Sequence, residues 1–189
     1  MTRGSSASPR LLARLIREAL ENGSTIEIDG LGTFRPDGKS GFIFEGRRRQ
    51  TVFIAYVNED AEMADRLYDA FENAGFDPWL DRRKLMPGQN WPRAIQDALE
   101  TSDFVVPCFS AYSVRKKGGF QAEIRYALDC ASKIPLNEIF LVPVRLDRCP
   151  IPAQISRVVQ YVDLFPDFQA GFRRILRVLK RQPPASLAA

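Results

Sequence analysis

Histidine is absent from all 189 residues, and that one omission removes several chemistries together. No Ser-His-Asp or Cys-His nucleophile, no His-ligated zinc and no histidine general base can be assembled. Any catalysis rests on carboxylates, hydroxyls, lysine, tyrosine or backbone donors. Cysteine is scarce: Cys108, Cys130 and Cys149 are odd in number and contain no Cys-x-x-Cys spacing. They read as reduced thiols in a cytoplasmic protein, and neither a metal site nor a bound cofactor is expected. No apolar run approaches the roughly 18 residues that cross a bilayer. The opening MTRGSSASPR lacks the apolar core of a secretory signal. A cytoplasmic location without membrane contact is therefore expected.

The net charge is +4, unevenly placed. Residues 1–50 hold 9 Lys+Arg against 6 Asp+Glu, whereas residues 51–189 hold 18 against 17. A near-neutral larger part does not indicate a broad nucleic-acid face. Four regions follow: a helix and β-hairpin within 1–46 behind a disordered start, a basic linker at 47–50, a main domain at 51–182, and a disordered tail at 183–189.

In the first region, Leu12, Leu15, Ile16, Ala19 and Leu20 repeat at helical spacing, and Gly23 supplies a stop. Thr25–Ile28 and Phe42–Phe44 read as short strands on either side of a Pro36-Asp37-Gly38 turn. ENGSTIEIDGLGTF resembles the helix-to-hairpin part of the bacterial histone-like HU/IHF family. The family's first helix and long basic arms have no counterpart here, so DNA is not an expected partner. Packing, dimerisation or docking is the expected role of this segment.

The main domain starts with the continuously apolar Thr51–Val57, a pattern that suits a central parallel strand buried on both faces. Asp60 is placed to cap a helix with the stripe Ala64, Leu67, Tyr68 and Phe71. A short strand at 76–80 leads into a polar loop at 81–89. Asn90 then caps a helix predicted to turn Trp91, Ile95, Ala98 and Leu99 inward. Strands are predicted at 104–109, 139–144 and 158–162, with Pro107 and Pro143 marking bulges or ladder ends. The last helix buries Phe168, Phe172, Ile175, Leu176 and Leu179. Five strands alternating with helices define an α/β flavodoxin-like parallel sheet with helices on both faces.

In KGGFQAEIRYALDCA, Phe120, Ile124, Ala127, Leu128 and Ala131 form one helical stripe, with Glu123 at its border. Taken alone, Glu123 is either a partly shielded surface acid or a functional one. It is joined at the carboxyl edge of the sheet by the segments 56–60, 80–91, 110–120 and 145–149.

Three motifs in order, VFIAYVNED, GFDPWLDRRKLMPGQNW and CFSAYSVRKKGGFQAEIRYAL, resemble the bacterial Toll/interleukin-1 receptor (TIR) domain over about 130 of the 189 residues. The resemblance implies a TIR fold and, for many members, cleavage of NAD+ at the nicotinamide–ribose bond in antiviral defence. The products would be ADP-ribose or a cyclic isomer, with NAD+ as substrate and not as cofactor. It implies Glu123 as the catalytic acid. Ala55, Tyr56, Asp81, Trp91, Ser110, Tyr112 and Phe120 are the implied substrate contacts, with aromatic packing the alternative for Trp91, Tyr112 and Phe120. It also implies self-association through the BB loop, Asp81 to Trp91, or else a non-catalytic adaptor that docks other TIR domains there. Members of the family often carry Trp four residues before the glutamate, and Gly119 stands in that place. An ionised Glu123 is expected at neutral pH, because Gly118 and Gly119 open its helix and the dipole favours an anion.

Overall fold

The computed structural model describes residues 9–28, 31–39, 41–46, 48–116, 118–134 and 138–181. The stretches expected to be disordered, 1–8 and 183–189, lie outside them. The chain divides into two compact units, Met1–Arg48 and Arg49–Ala189.

The smaller unit is a helix followed by a meander. Helix α1 (Pro9–Glu21) ends before Gly23, whose φ of 77° is the left-handed conformation that closes a helix at little cost. Strands β1 (Ile26–Ile28), β2 (Gly32–Pro36) and β3 (Phe42–Gly46) pair antiparallel in that order. The turn between β2 and β3 is tied by the Asp37 carboxylate, which accepts from the amides of Lys39 and Gly41 at 2.7 and 2.8 Å. Register places Phe34 beside Phe44, with ring centroids 4.6 Å apart.

The larger unit runs β4 (Thr51–Ala55), a 3-10 turn at Asn58–Asp60, α2 (Ala61–Asn73), β5 (Asp77–Trp79), α3 (Asp81–Lys84), α4 (Trp91–Thr101), β6 (Phe104–Phe109), α5 (Gly119–Ala131), β7 (Val144–Arg145), α6 (Ala153–Ser156), β8 (Val162–Asp163) and α7 (Phe168–Leu179). The sheet order is β5-β4-β6-β7-β8, and every pairing is parallel. Alternation along β4 splits the core. Val52 and Ile54 pack with Leu67 and Phe71 of α2 and Phe172 and Ile175 of α7. Phe53 and Ala55 face Ile95 and Leu99 of α4 and Phe120 and Ile124 of α5. The apolar run at 52–55 is continuous because both of its faces are covered.

Several expectations shift. The fourth strand is predicted as 139–144, but only Val144–Arg145 form a ladder; Leu141 makes one bridge to Val105 before Pro143 interrupts. Pro107 does mark a ladder end as expected, although β6 itself continues to Phe109. It is the last residue of β6 paired with β4, and pairing with β7 begins at Cys108, so the proline stands where the strand changes neighbour. The fifth strand is Val162–Asp163, not 158–162. The amides of Val158 and Val159 both bond back to the Ile155 carbonyl, which holds these residues in a turn after α6. Asp60 does not cap α2, since its carboxylate is taken by Ser110. Asn90 does cap α4, accepting from the Arg93 amide at 3.3 Å. Trp91, expected to face inward, is 61% exposed, because the buried stripe of α4 starts only at Ile95.

A Cβ on Gly171 would run into the Asp163 carbonyl oxygen and lie 2.9 Å from Leu164 Cδ2, so α7 approaches β8 only because this side chain is missing. Gly171→Ala is expected to destabilise the larger unit by about 1–3 kcal/mol, read by chemical denaturation.

Candidate functional site

An open α/β sheet gathers ligands at the carboxyl ends of its strands, beside the strand where the order reverses. Here that strand is β4, with β5 on one side and β6 on the other. Tyr56 follows β4 directly, and Asp81 opens α3 two residues after β5. The Tyr56 hydroxyl donates to Asp81 Oδ1 at 2.8 Å, and the Arg82 amide donates to the same oxygen at 2.6 Å. Burial, reinforced by the bond to Asp81, pushes the Tyr56 hydroxyl well above the usual tyrosine range, so it stays a donor at any physiological pH.

Glu123 lies in the second turn of α5, half-buried, held there by Phe120 and Ile124 packing into the core on either side. Among the described residues no cation pairs with it. Burial first, and the negative charge of Asp81 second, push its carboxyl from 4.5 to about 7. The expectation of a fully ionised glutamate at neutral pH is corrected here. The helix dipole acts over the first turn only, Glu123 lies beyond it, and desolvation prevails. Glu123 Oε1 is 3.9 Å from where a Cβ on Gly119 would stand, so the carboxylate turns toward the exposed N-terminal end of α5.

The other candidate residues divide. Ala55 is 1% exposed within the core beneath α4 and α5, which removes its side chain from any ligand. Phe120 is buried too, edge-on to Phe109 at 5.8 Å, and its ring is spent on packing. Ser110 is 2% exposed. Its hydroxyl donates to Asp60 Oδ2 at 2.6 Å and accepts from the amides of Tyr112 and Ser113 at 3.2 and 3.1 Å. It therefore ties the loop after β6 instead of meeting a substrate hydroxyl. Trp91 and Tyr112 are both 61% exposed and present their rings to solvent.

Tyr112 borders a cleft of about 560 Å³ with Glu59, Arg115, Lys116 and Asp147. Lys116 bridges this cleft to Glu59 at 2.7 Å, and Asp147 Oδ2 accepts the Ala111 amide at 2.9 Å. Burial pushes the Asp60 carboxyl up, its bond from Ser110 opposes that, and nearby Asp147 adds to the rise. Asp60 and Asp147 escape sequence reasoning. Asp60 carries the signal of a helix cap, and neither acid hints at partners 50 and 36 positions away.

The loop from Asp81 to Trp91 is anchored at its root. Arg82 and Arg83 reach Asp65 of α2 at 3.0 and 2.8 Å, Arg83 also reaches Asp69 at 2.7 Å, and Lys84 reaches Asp77 at 3.1 Å. Beyond that root stand Met86, 70% exposed, and Trp91. Cys108 and Cys149 are buried and Cys130 is half-buried, all three as free thiols. Among the described residues no acid or thiol cluster suits a metal ion, and no helix is long and apolar enough to cross a membrane.

The profile of the TIR domain matches residues 52–176. The fold is similar to the TIR domain of the Toll-related receptor TRR-2 from Hydra magnipapillata, with 21% identity and a TM-score of 0.57 over 68% of this chain and 97% of that one. A metazoan TIR-STING receptor from C. gigas is 22% identical, TM-score 0.57, over 72% of this chain and 41% of its own. The TIR domains of the activated Roq1 resistosome are 19% identical, TM-score 0.52, over 70% and 98%. An uncharacterized protein of Sinorhizobium fredii, y4cD, is 25% identical across 78% of this chain, which spans only 23% of that relative's length.

Two outcomes follow from the paired acids. Asp81→Asn removes the like charge and should lower the Glu123 pKa from about 7, read by carbon-13 NMR titration of the carboxyl. The raised value also sets a sign on stability. The folded state holds a proton on Glu123 that the unfolded chain has already lost, so the stability it confers is full below 4.5 and disappears as pH rises through about 7. Glu123→Gln should therefore gain thermal stability relative to wild type as pH goes from 5 to 8.

Proposed function

The chain belongs to the TIR-domain family, and from that premise we propose that it cleaves the nicotinamide–ribose bond of NAD+ with Glu123 as the catalytic carboxylate. The observation that carries this reading is a half-buried acid without a cation partner among the described residues, at the carboxyl edge of the sheet and turned toward an exposed helix start. The inventory suits the chemistry. The C1′–N bond breaks with its electron pair returning to the pyridinium nitrogen, so the departing nicotinamide is neutral and needs neither metal nor acid. Positive charge collects on the ribose, where an anionic Glu123 stabilises it and accepts from a ribose hydroxyl. Water then bonds to C1′ and releases a proton to give ADP-ribose, or an adenine nitrogen of the same molecule closes a cyclic product. With a pKa of about 7, Glu123 is also matched to take up the proton of that water.

Asp81, held by Tyr56, keeps a second negative charge near the ribosyl cation. Trp91 and Met86, displayed on the loop, form the face through which copies associate to build the active assembly. A second reading, a docking module without turnover, is favoured by the same two exposed side chains.

The discriminating experiment incubates concentrated protein with NAD+ and measures released nicotinamide. Wild type should release it, and Glu123→Gln should fall by about 100-fold or more. The rate should climb about tenfold from pH 6 to pH 8 as the carboxyl ionises. Equal release by both proteins, or none from either under crowding, leaves the docking module in its place.

A further inference from the structure

We propose that the bare edge of β3 pairs antiparallel with the same strand of a second copy, so that the smaller unit joins two chains. This unit has almost no core of its own. Leu20 is the one large apolar side chain buried among its described residues, and a unit this short buries too little by itself to be self-sufficient. The open apolar surface is concentrated on β3. All five residues of Phe42–Gly46 are exposed, and Phe42, Ile43 and Phe44 stand in succession at 44–58% exposure.

β3 pairs only with β2, so its other side carries no strand among the described residues. A bare edge templates a further strand, and sheets blunt their edges by shortness, proline or lysine. The other edges of this chain are blunted. β1 spans three residues and β8 two, and β5 spans three with Pro78 at its centre. β3 runs for five residues in unbroken register and contains no proline, lysine or bulge.

The main chain of β3 is turned for such pairing. The Asp37 amide donates to the Gly41 carbonyl at 3.2 Å, so Gly41 directs that carbonyl toward β2. Main-chain groups alternate in direction along an antiparallel strand. Ile43 and Glu45 therefore also face β2, while Phe42, Phe44 and Gly46 point N–H and C=O outward. A two-fold axis at Ile43 sets Phe42 of each copy opposite Phe44 of the other, where these outward groups exchange hydrogen bonds. The same axis sets Ile43 against itself and Glu45 against Gly41. Aromatic then meets aromatic, and no acid opposes an acid. Glu45 keeps its bridge to Arg35 of β2 at 3.2 Å. The contact is isologous and closes at two copies, because each consumes the other's bare edge.

Such a contact covers on the order of 500 Å² per copy, at the low end of specific interfaces. The pair should therefore form at micromolar concentration and part on dilution. Two larger units joined this way are held at high effective concentration, which, on the reading of the loop given above, favours their association.

The test is sedimentation velocity of the full chain with variants at Ile43, an exposed side chain whose replacement opens no core. Wild type should pass from a 21.4 kDa monomer to twice that mass between about 1 and 100 μM. Ile43→Lys and Ile43→Glu each set like charges across the axis, and each should associate about tenfold or more weakly. Mixed in equal amounts, the two should dimerise again, since lysine then faces glutamate. A folding defect would not be repaired by mixing. Wild type that stays monomeric at about 100 μM overturns the proposal. So does Ile43→Lys that dimerises as well as wild type, or a mixture that stays monomeric. Loss of the dimer in Trp91→Ser, with Ile43→Lys unaffected, would overturn it in favour of the loop after β5. None of these readouts uses NAD+, so failure of the NAD+ reading leaves the test of pairing intact.

Discussion

Strand β4 is paired on both sides and buried on both faces, and the geometry of the larger unit descends from that placement. A chain that begins its sheet in the middle must build outward first one way and then the other. The loops leaving β4 and its neighbours then part at the carboxyl edge. Tyr56, Asp81 and Glu123 arrive at that edge from three different connections, none adjacent to another in sequence. The same placement separates a second polar neighbourhood, around Ser110, Asp60 and Asp147, which stiffens the loop after β6. One sheet edge thus carries a half-buried acid with no cation partner among the described residues and an acid network that holds a loop.

Electrostatics at the first of these follows from distance along a helix and from solvent. A glutamate in the opening turn of α5 would feel the dipole. One turn later it feels the removal of water instead, with Asp81 adding a like charge. The site thereby keeps a carboxylate close to its protonation midpoint, where it can stabilise a cation in one form and carry a proton in the other.

Much of the fold was legible because apolar spacing reports burial directly. Val52–Ala55 as a doubly covered strand, the stripe of α2, the stripe of α7 and the Asn90 cap all rest on local pattern, and each stands in the structure. The failures share a cause. Val158–Val162 reads as a strand by composition, yet a turn bonded to Ile155 claims its first half, and no propensity records a bond that depends on where α6 ends. Asp60 has the residue type of a cap, but a serine 50 positions later captures it. Ala55, Phe120 and Ser110 carry the right names for ligand contacts and lie too deep to make them. Local pattern indicates which face a residue takes, and only the assembled sheet indicates whether that face is wet.

The basic residues at the root of the loop after β5 have a less obvious consequence. Arg82, Arg83 and Lys84 have satisfied their charges within the fold, on Asp65, Asp69 and Asp77. What remains projecting is a thioether and an indole. Any association through this surface, as proposed above, would be governed by shape and the exclusion of water more than by long-range charge. Copies meeting here would find one another without long-range guidance, so encounter would be slow when the protein is dilute and would quicken sharply with local crowding.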